Sequence, residues 1–89
     1  MSRFIEQPQV ILYTTNNCPY SWETREHLRE RGVDFEELFV DESELAAQVL
    51  HQMVGDMVVP VTVVIHPEQA ETVIVGFDRQ RLDAALGVL

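Results

Sequence analysis

The chain has one cysteine, Cys18, and its sequence neighbours suit a reactive thiol. An uninterrupted β-rich run at residues 10–13 is followed by polar, turn-forming residues at 14–17. Pro19 then suits the first position of a helix, because its ring fixes φ near the helical value and its missing N–H would have no partner there. Cys18 would lie at the N-terminus of that helix, where unpaired N–H groups and the helix dipole favour a thiolate, the reactive form. These residues alone leave open the alternative that Cys18 is a small, buried apolar side chain with no catalytic role.

Composition narrows the class of protein. The chain has 89 residues and a net charge of −9, from fifteen acidic residues against six basic ones, all of them arginine. Such a charge repels nucleic acids and anionic membranes, so we expect neither as a partner. One cysteine makes neither an internal disulfide nor a sulfur-rich zinc site, and we expect no metal. The longest apolar run, at 57–65, is too short to span a membrane, and no apolar signal region follows the first residues. We therefore expect a monomeric, cytoplasmic protein with a single domain over residues 1–89.

Changes in hydrophobic periodicity divide the chain into seven elements. The pattern predicts strands at 10–13, 33–40, 58–65 and 72–75. It predicts a first helix at 19–31, a second that begins at a capping box formed by Asp41 and Glu44 and ends at Gly55, and a third that begins at Asp78. The order is β-α-β-α-β-β-α. The first two strands should be parallel because a helix connects them, and the last two should form an antiparallel hairpin because their connection is short. The sequence therefore predicts an α/β protein with a mixed four-stranded sheet flanked by helices.

Three short motifs resemble those of the glutaredoxin family. Cys18-Pro19-Tyr20-Ser21 is similar to the family's active-site motif Cys-Pro-Tyr-Cys, Val59-Pro60 to its Thr-Val-Pro, and Gly76-Phe77-Asp78 to its Gly-Gly-x-Asp segment. They occur in the family's order and spacing and extend over nearly the whole chain. The resemblance implies a thioredoxin-like fold and a thiol–disulfide oxidoreductase in cell redox homeostasis, with Cys18 as the nucleophile.

The same resemblance implies binding roles around Cys18. A cis bond before Pro60 would leave the N–H and C=O of Val59 unpaired, so that the backbone of a peptide or of glutathione could pair with them. Tyr20 would form one wall of this groove, and Gly76–Asp78 with the first amides of the last helix would bind the γ-glutamyl end of glutathione. The simpler alternatives are a strand-initiating proline at Pro60 and a helix N-cap without ligand at Asp78.

The chain departs from the family pattern where a mixed disulfide is released. Ser21, whether natural or an engineered replacement, occupies the position of the second cysteine, so an external thiol must resolve the mixed disulfide. The expected route is monothiol, with glutathione as co-substrate and no covalently bound cofactor. Thr15 lies where many glutaredoxins have a lysine, and Asp56 and the next residue lie where the family often has an arginine. Arg79 lies where the family often has a second acidic residue after the aspartate of its Gly-Gly-x-Asp segment. Without this basic clamp we expect weak glutathione binding.

Two other functions compete with that of an oxidoreductase acting on glutathione or protein disulfides. The fold and its groove could serve a non-catalytic binding module that has lost turnover. An iron–sulfur cluster carrier is less favoured, because Pro19 and Tyr20 do not match the Cys-Gly-Phe-Ser motif of such carriers.

Of the remaining side chains, His27 is predicted to be a core or boundary histidine whose hydrogen bonds are satisfied. Trp22 is either exposed for partner contact or lies over the helix surface.

Overall fold

Four strands and three helices follow one another in the predicted order in the computed structural model, which describes residues 8–56 and 58–87. The elements are β1 Gln9–Thr14, α1 Pro19–Glu30, β2 Glu36–Phe39, α2 Glu44–Val54, β3 Val61–Ile65, β4 Thr72–Val75 and α3 Arg79–Leu86. The second and third strands begin three residues later than the sequence predicted. Within the described ranges, no helix has the length and hydrophobicity needed to cross a membrane.

The sheet is mixed and has the strand order β2-β1-β3-β4. β1 pairs in parallel with β2, with Ile11 opposite Glu36, and antiparallel with β3, with Leu12 opposite Thr62. β3 and β4 form the predicted antiparallel hairpin. β1 is therefore an inner strand, which accounts for its unbroken apolar run, because both of its edges and both of its faces are covered.

Helices cover both faces of the sheet, as predicted. Val10 and Val64 point to the face on which Leu28 of α1 and Leu82 of α3 pack. The opposite face packs against α2 through a second cluster, whose buried members are Tyr13, Val40, Ala46, Leu50, Val61 and Val63. Because successive strand residues point to opposite faces, β1, β3 and β4 each contribute to both clusters, whereas β2 contributes only Leu38, to the second. The end of β1 and the start of α1 are thus anchored by core packing on either side of residues 15–18.

Local sequence signals account for most of the helix ends. Gly32, with φ +69°, ends α1, and its N–H donates to Arg29 O at 3.0 Å while Val33 N–H donates to Leu28 O at 3.1 Å. These two hydrogen bonds form a Schellman motif, which needs the left-handed conformation that glycine adopts without strain.

The predicted start of α2 was wrong. Its N-cap is Ser43, whose hydroxyl accepts a hydrogen bond from Ala46 N–H at 3.1 Å. Asp41 does not cap the helix because its carboxylate accepts hydrogen bonds from Asn16, in the loop before Cys18.

Candidate active site

Cys18 is the N-cap residue of α1. Its backbone is extended, with φ −118° and ψ 107°, and its carbonyl oxygen accepts hydrogen bonds from Ser21 N–H at 3.1 Å and Trp22 N–H at 3.3 Å. Pro19 is the first helical residue, as predicted. The thiol is half-buried, and the Cys18 side chain makes no capping hydrogen bond to the helix. The first amides of α1 therefore lie beside a sulfur that does not yet use them.

A cis peptide bond between Val59 and Pro60 lies against this sulfur. The distance from Cys18 Sγ to Val59 O is 3.8 Å, which is within reach of a weak S–H···O hydrogen bond. The Val59 N–H donates no hydrogen bond to any residue within 8–56 and 58–87. The resemblance implied that both polar groups of Val59 would be unpaired. The N–H fits that expectation, whereas the carbonyl is in contact with the thiol.

The segment Gly76–Asp78 is joined to this cis-proline turn. Gly76 N–H donates to Pro60 O at 2.8 Å, and Gly76 has φ +81°, a left-handed conformation that favours glycine. Asp78 is the N-cap of α3, because its Oδ1 accepts a hydrogen bond from Arg81 N–H at 3.1 Å. Phe77 packs against the core cluster between α1 and α3. The three motifs quoted from the sequence are thus connected in space, from Cys18 through Val59 and Pro60 to Gly76.

Asn16 anchors the loop that leads to Cys18. Its backbone N–H and its Nδ2 both donate to Asp41 Oδ2 at 3.1 Å, and Nδ2 also donates to Glu42 Oε2 at 2.6 Å. The pKa of Asp41 is lowered below its ordinary value, first by the hydrogen bond from the backbone N–H of Asn16 and then by that from the Asn16 side chain. Sequence reasoning missed this contact, because nothing in the local pattern links positions 25 residues apart.

A second contact that the sequence did not reveal holds α1 against β2. Arg25 Nε donates to the two carboxylate oxygens of Glu37 at 2.9 and 3.0 Å, and Arg25 Nη2 also bonds Glu37 Oε2. Hydrogen bonding to Glu37 is the main cause that raises the pKa of Arg25, and the nearby Cys18 contributes in the same direction. The Arg25 guanidinium therefore lies within electrostatic reach of both Glu37 and Cys18.

Two exposed aromatic side chains lie in the first turn of α1, directly after the Cys18–Pro19 segment. Tyr20 is 63% exposed and Trp22 is 59% exposed. Tyr20 and Trp22 line a shallow depression together with Pro19 and Glu23. Trp22 also borders a neighbouring cleft of about 230 Å³ whose other lining includes Phe77. Both aromatic rings are therefore accessible from solvent close to the start of α1.

His27 is the satisfied core histidine that the sequence predicted. It is 4% exposed, its Nε2 lies 2.8 Å from Asp83 Oδ1, and its ring meets that of Phe77 edge-on at 5.9 Å. Arg31 donates to the same carboxylate. The pKa of Asp83 is lowered, first by the hydrogen bond from Arg31 and then by that from His27. This cluster ties α1 to α3 on the side of the fold away from α2.

The strand order, the cysteine at the start of α1 and the adjacent cis-proline define a redox protein of the thioredoxin fold. The family model for glutaredoxins matches residues 10–66, which is more than half of the chain, and the chain belongs to the glutaredoxin family. The matched region includes Cys18 and the Val59–Pro60 bond, whereas Gly76–Asp78 lies beyond it.

Solved structures of related proteins share the architecture. A glutaredoxin from Archaeoglobus fulgidus is 26% identical, with a TM-score of 0.72 over 88% of this chain and 85% of that one. The glutaredoxin-like NrdH-redoxin from Escherichia coli is 28% identical, with a TM-score of 0.71 over 85% of this chain and 92% of that one. The curated glutaredoxin of Pseudomonas aeruginosa is 41% identical over 54 residues, which cover 60% of this chain and 63% of that protein. The match therefore spans less than two thirds of that relative.

Proposed function

We propose that this protein is a thiol–disulfide oxidoreductase that uses Cys18 as its nucleophile and an external thiol to complete turnover. The observation that carries the proposal is the position of Cys18, at the N-cap of α1 with its sulfur 3.8 Å from the carbonyl of the cis Val59–Pro60 segment. The helix N-terminus favours the thiolate, and the Val59 N–H, which has no acceptor among residues 8–56 and 58–87, offers a backbone partner to a bound disulfide.

The reaction proceeds in two exchanges. The Cys18 thiolate attacks one sulfur of the substrate disulfide, the S–S bond breaks, and the other sulfur leaves as a thiolate that takes a proton from water. Ser21 offers no second thiol, so an external thiolate attacks the substrate sulfur of the mixed disulfide. A disulfide forms between the external thiol and that sulfur, and the Cys18 thiolate is released. The sulfur that left first is reduced to a thiol, and the external thiol is oxidised into the new disulfide with the other substrate sulfur. Where both sulfurs belong to a protein, a second external thiolate attacks the external sulfur of that disulfide, frees the protein sulfur as a thiol, and leaves the two external thiols joined as a disulfide.

Glutathione is the external thiol that the family suggests, and the chain offers two parts of a site for it. Val59 N–H suits the glutathione backbone, while Asp78 and the first amides of α3 suit the charged γ-glutamyl end. The expected basic clamp is missing, since Thr15 and Asp56 lie where cations would be. Weak glutathione binding follows, and protein disulfides become the favoured substrates. The Escherichia coli relative is itself described as having a thioredoxin-like activity profile.

The cellular setting belongs to the same proposal. A single reduced thiol at the site suits the reducing cytoplasm, because thiols persist there. The strongly acidic chain suits a monomer with protein-disulfide partners and disfavours nucleic acids and anionic membranes.

A coupled assay tests the function. The protein is given a glutathione mixed disulfide, glutathione and glutathione reductase, and the consumption of NADPH is followed. Wild type should turn over, and Cys18→Ser, which changes one atom, should reduce the protein-dependent rate to background. Equal rates in both proteins would contradict the proposal. Turnover with a dithiol but none with glutathione would show that another external thiol serves, and no turnover with either would indicate the binding module.

A further inference from the structure

A cleft of about 230 Å³ between α1 and the start of α3 has an acidic wall. The wall consists of Glu23, Glu26 and Glu30, which lie on one side of α1 because they are three and four residues apart. Glu26 is paired with Arg29, whose Nη1 lies 3.0 Å from Glu26 Oε2. Glu23 and Glu30 form no ion pair within the part of the chain that the structure describes. The cleft therefore holds negative charge that awaits a cation.

One ring nitrogen of His27 faces the same cleft. His27 is only 4% exposed, yet it lines the cleft. Its Nε2 lies 2.8 Å from Asp83 Oδ1, and because a carboxylate only accepts hydrogen bonds, Nε2 carries the hydrogen of the neutral ring and Nδ1 is an acceptor. No described residue donates a hydrogen bond to Nδ1, and Nδ1 is not among the described side-chain atoms that are both unpartnered and closed off from solvent. A buried side chain thus presents an open acceptor to whatever enters the cleft.

Two aromatic rings, those of Trp22 and Phe77, also line the cleft. Aromatic rings attract guanidinium and ammonium groups, which are also the donors that carboxylates and a neutral histidine nitrogen accept. The lining includes one cation, Arg79, which is exposed and forms no ion pair within residues 8–56 and 58–87. Even with Glu26 already paired, two carboxylates face this one arginine. The charges, the acceptor and the rings therefore all favour a cationic hydrogen-bond donor as the ligand.

The cleft is continuous with the surface beside Cys18. Trp22 and Glu23 line both the cleft and the shallow depression in the first turn of α1. Glu26, in the middle of the acidic wall, follows Cys18 by eight residues, which is about 12 Å along a helix, and an extended peptide covers that distance in about four residues. A protein segment whose cysteine reacts with Cys18 can therefore run along α1 and place a side chain in the cleft.

We infer that this cleft binds an arginine side chain of the protein substrate, located about four residues from the cysteine that Cys18 attacks. The inference rests on the proposed function and adds the chemistry of the partner, a disulfide within a basic segment. A guanidinium is favoured over an ammonium because it is planar, presents five donors and stacks on aromatic rings. It would donate to Glu23, Glu30 and His27 Nδ1 while lying against the Trp22 ring. The net charge of −9 steers such a segment toward the protein.

A competition between two peptides for Cys18 tests this inference. The protein is equilibrated with equal amounts of two single-cysteine peptides, each as thiol and disulfide, that differ only in arginine or glutamine four residues after the cysteine. The two mixed disulfides on Cys18 are then counted by mass spectrometry after acid quenching. A second pair of peptides carries the variable residue four positions before the cysteine. In one of the pairs, wild type should favour the arginine peptide about three- to tenfold, the effect of two exposed ion pairs.

Two double variants, each of which removes two exposed carboxylates, locate the effect. In Glu23→Gln/Glu30→Gln the preference should fall below about twofold, because the cleft loses its unpaired charges. In Glu68→Gln/Glu71→Gln the preference should stay at the wild-type value. These two residues are also exposed, but they lie in the connection between β3 and β4, at the end of the sheet away from Cys18. Both double variants have the same net charge, so a difference between them does not arise from overall charge.

The outcomes separate this inference from the proposed function. Mixed disulfides without a preference for arginine, or equal falls in both double variants, would overturn the inference and leave the function intact. If no mixed disulfide forms, the proposed function fails, and a titration without covalent chemistry decides the inference. Trp22 is the only tryptophan of the chain, so its fluorescence reports on the cleft. Peptides with serine in place of cysteine should change this fluorescence at lower concentration with arginine than with glutamine, and only while Glu23 and Glu30 are present; identical titrations would overturn the inference.

Discussion

The ion pair between Arg25 and Glu37 should contribute measurably to the attachment of α1, the helix that Cys18 caps. The two side chains are 18% and 16% exposed, and Arg25 Nε contacts both carboxylate oxygens. Exposed pairs couple by about 0.2–1 kcal/mol, and breaking a fully buried pair costs about 3–5 kcal/mol. A mostly buried pair with several hydrogen bonds lies between these limits, and we expect a coupling energy of about 1–2 kcal/mol.

A double-mutant cycle with Arg25→Met and Glu37→Gln measures this coupling through urea denaturation followed by circular dichroism. The pair Arg29–Glu26 on the same helix provides a matched control, because its side chains are 60% and 38% exposed. Its coupling should be below about 0.5 kcal/mol and should weaken more on addition of salt. Equal couplings for the two pairs would refute the reasoning, since burial would then have no influence on the strength of the interaction.

Three further predictions concern the site and the core. Ser21→Cys should form a disulfide with Cys18 on oxidation, because residues one turn apart on a helix lie within disulfide reach; two free thiols in the oxidised, denatured variant would exclude this. The pKa of Asp41 is lowered by hydrogen bonds from the backbone and side chain of Asn16, so its stabilisation is present above the unfolded pKa and is lost as the carboxylate is protonated. The free energy of unfolding should therefore fall from about pH 5 toward pH 2, and less steeply in Asp41→Ala. Leu50→Ala, at a fully buried position of α2, should lower the free energy of unfolding by about 2–5 kcal/mol in urea denaturation.

Local interactions explain which parts of this protein could be predicted from its sequence. Pro19 starts α1 and Gly32 ends it, because a fixed φ and a left-handed φ are properties of single residues. Asp78 caps α3 through a hydrogen bond that extends only three residues along the chain. The unbroken apolar run at residues 10–13 predicted a strand covered on both faces, because that pattern depends on the residue types within the run alone.

The start of α2 shows how a local signal can be overridden. Asp41 and Glu44 have the spacing of a capping box, yet Ser43 is the N-cap. The carboxylate of Asp41 is used by Asn16, which reaches it from the end of β1 because β1 and β2 are adjacent parallel strands. Parallel pairing brings the two strand ends together, and this is a property of the sheet rather than of the segment around Asp41.

The sequence by itself determined the order of the elements, the family and the position of Cys18 at a helix N-terminus, because each depends on residue types and spacings along the chain. Only the tertiary structure decided what this cysteine faces. The contact of its thiol with Val59, the burial of Ser21 and the attachment of Arg25 to Glu37 arise where separate segments pack together. Contacts of this kind arise when strands pair and helices dock, and neither the periodicity nor the propensity of any single segment encodes them.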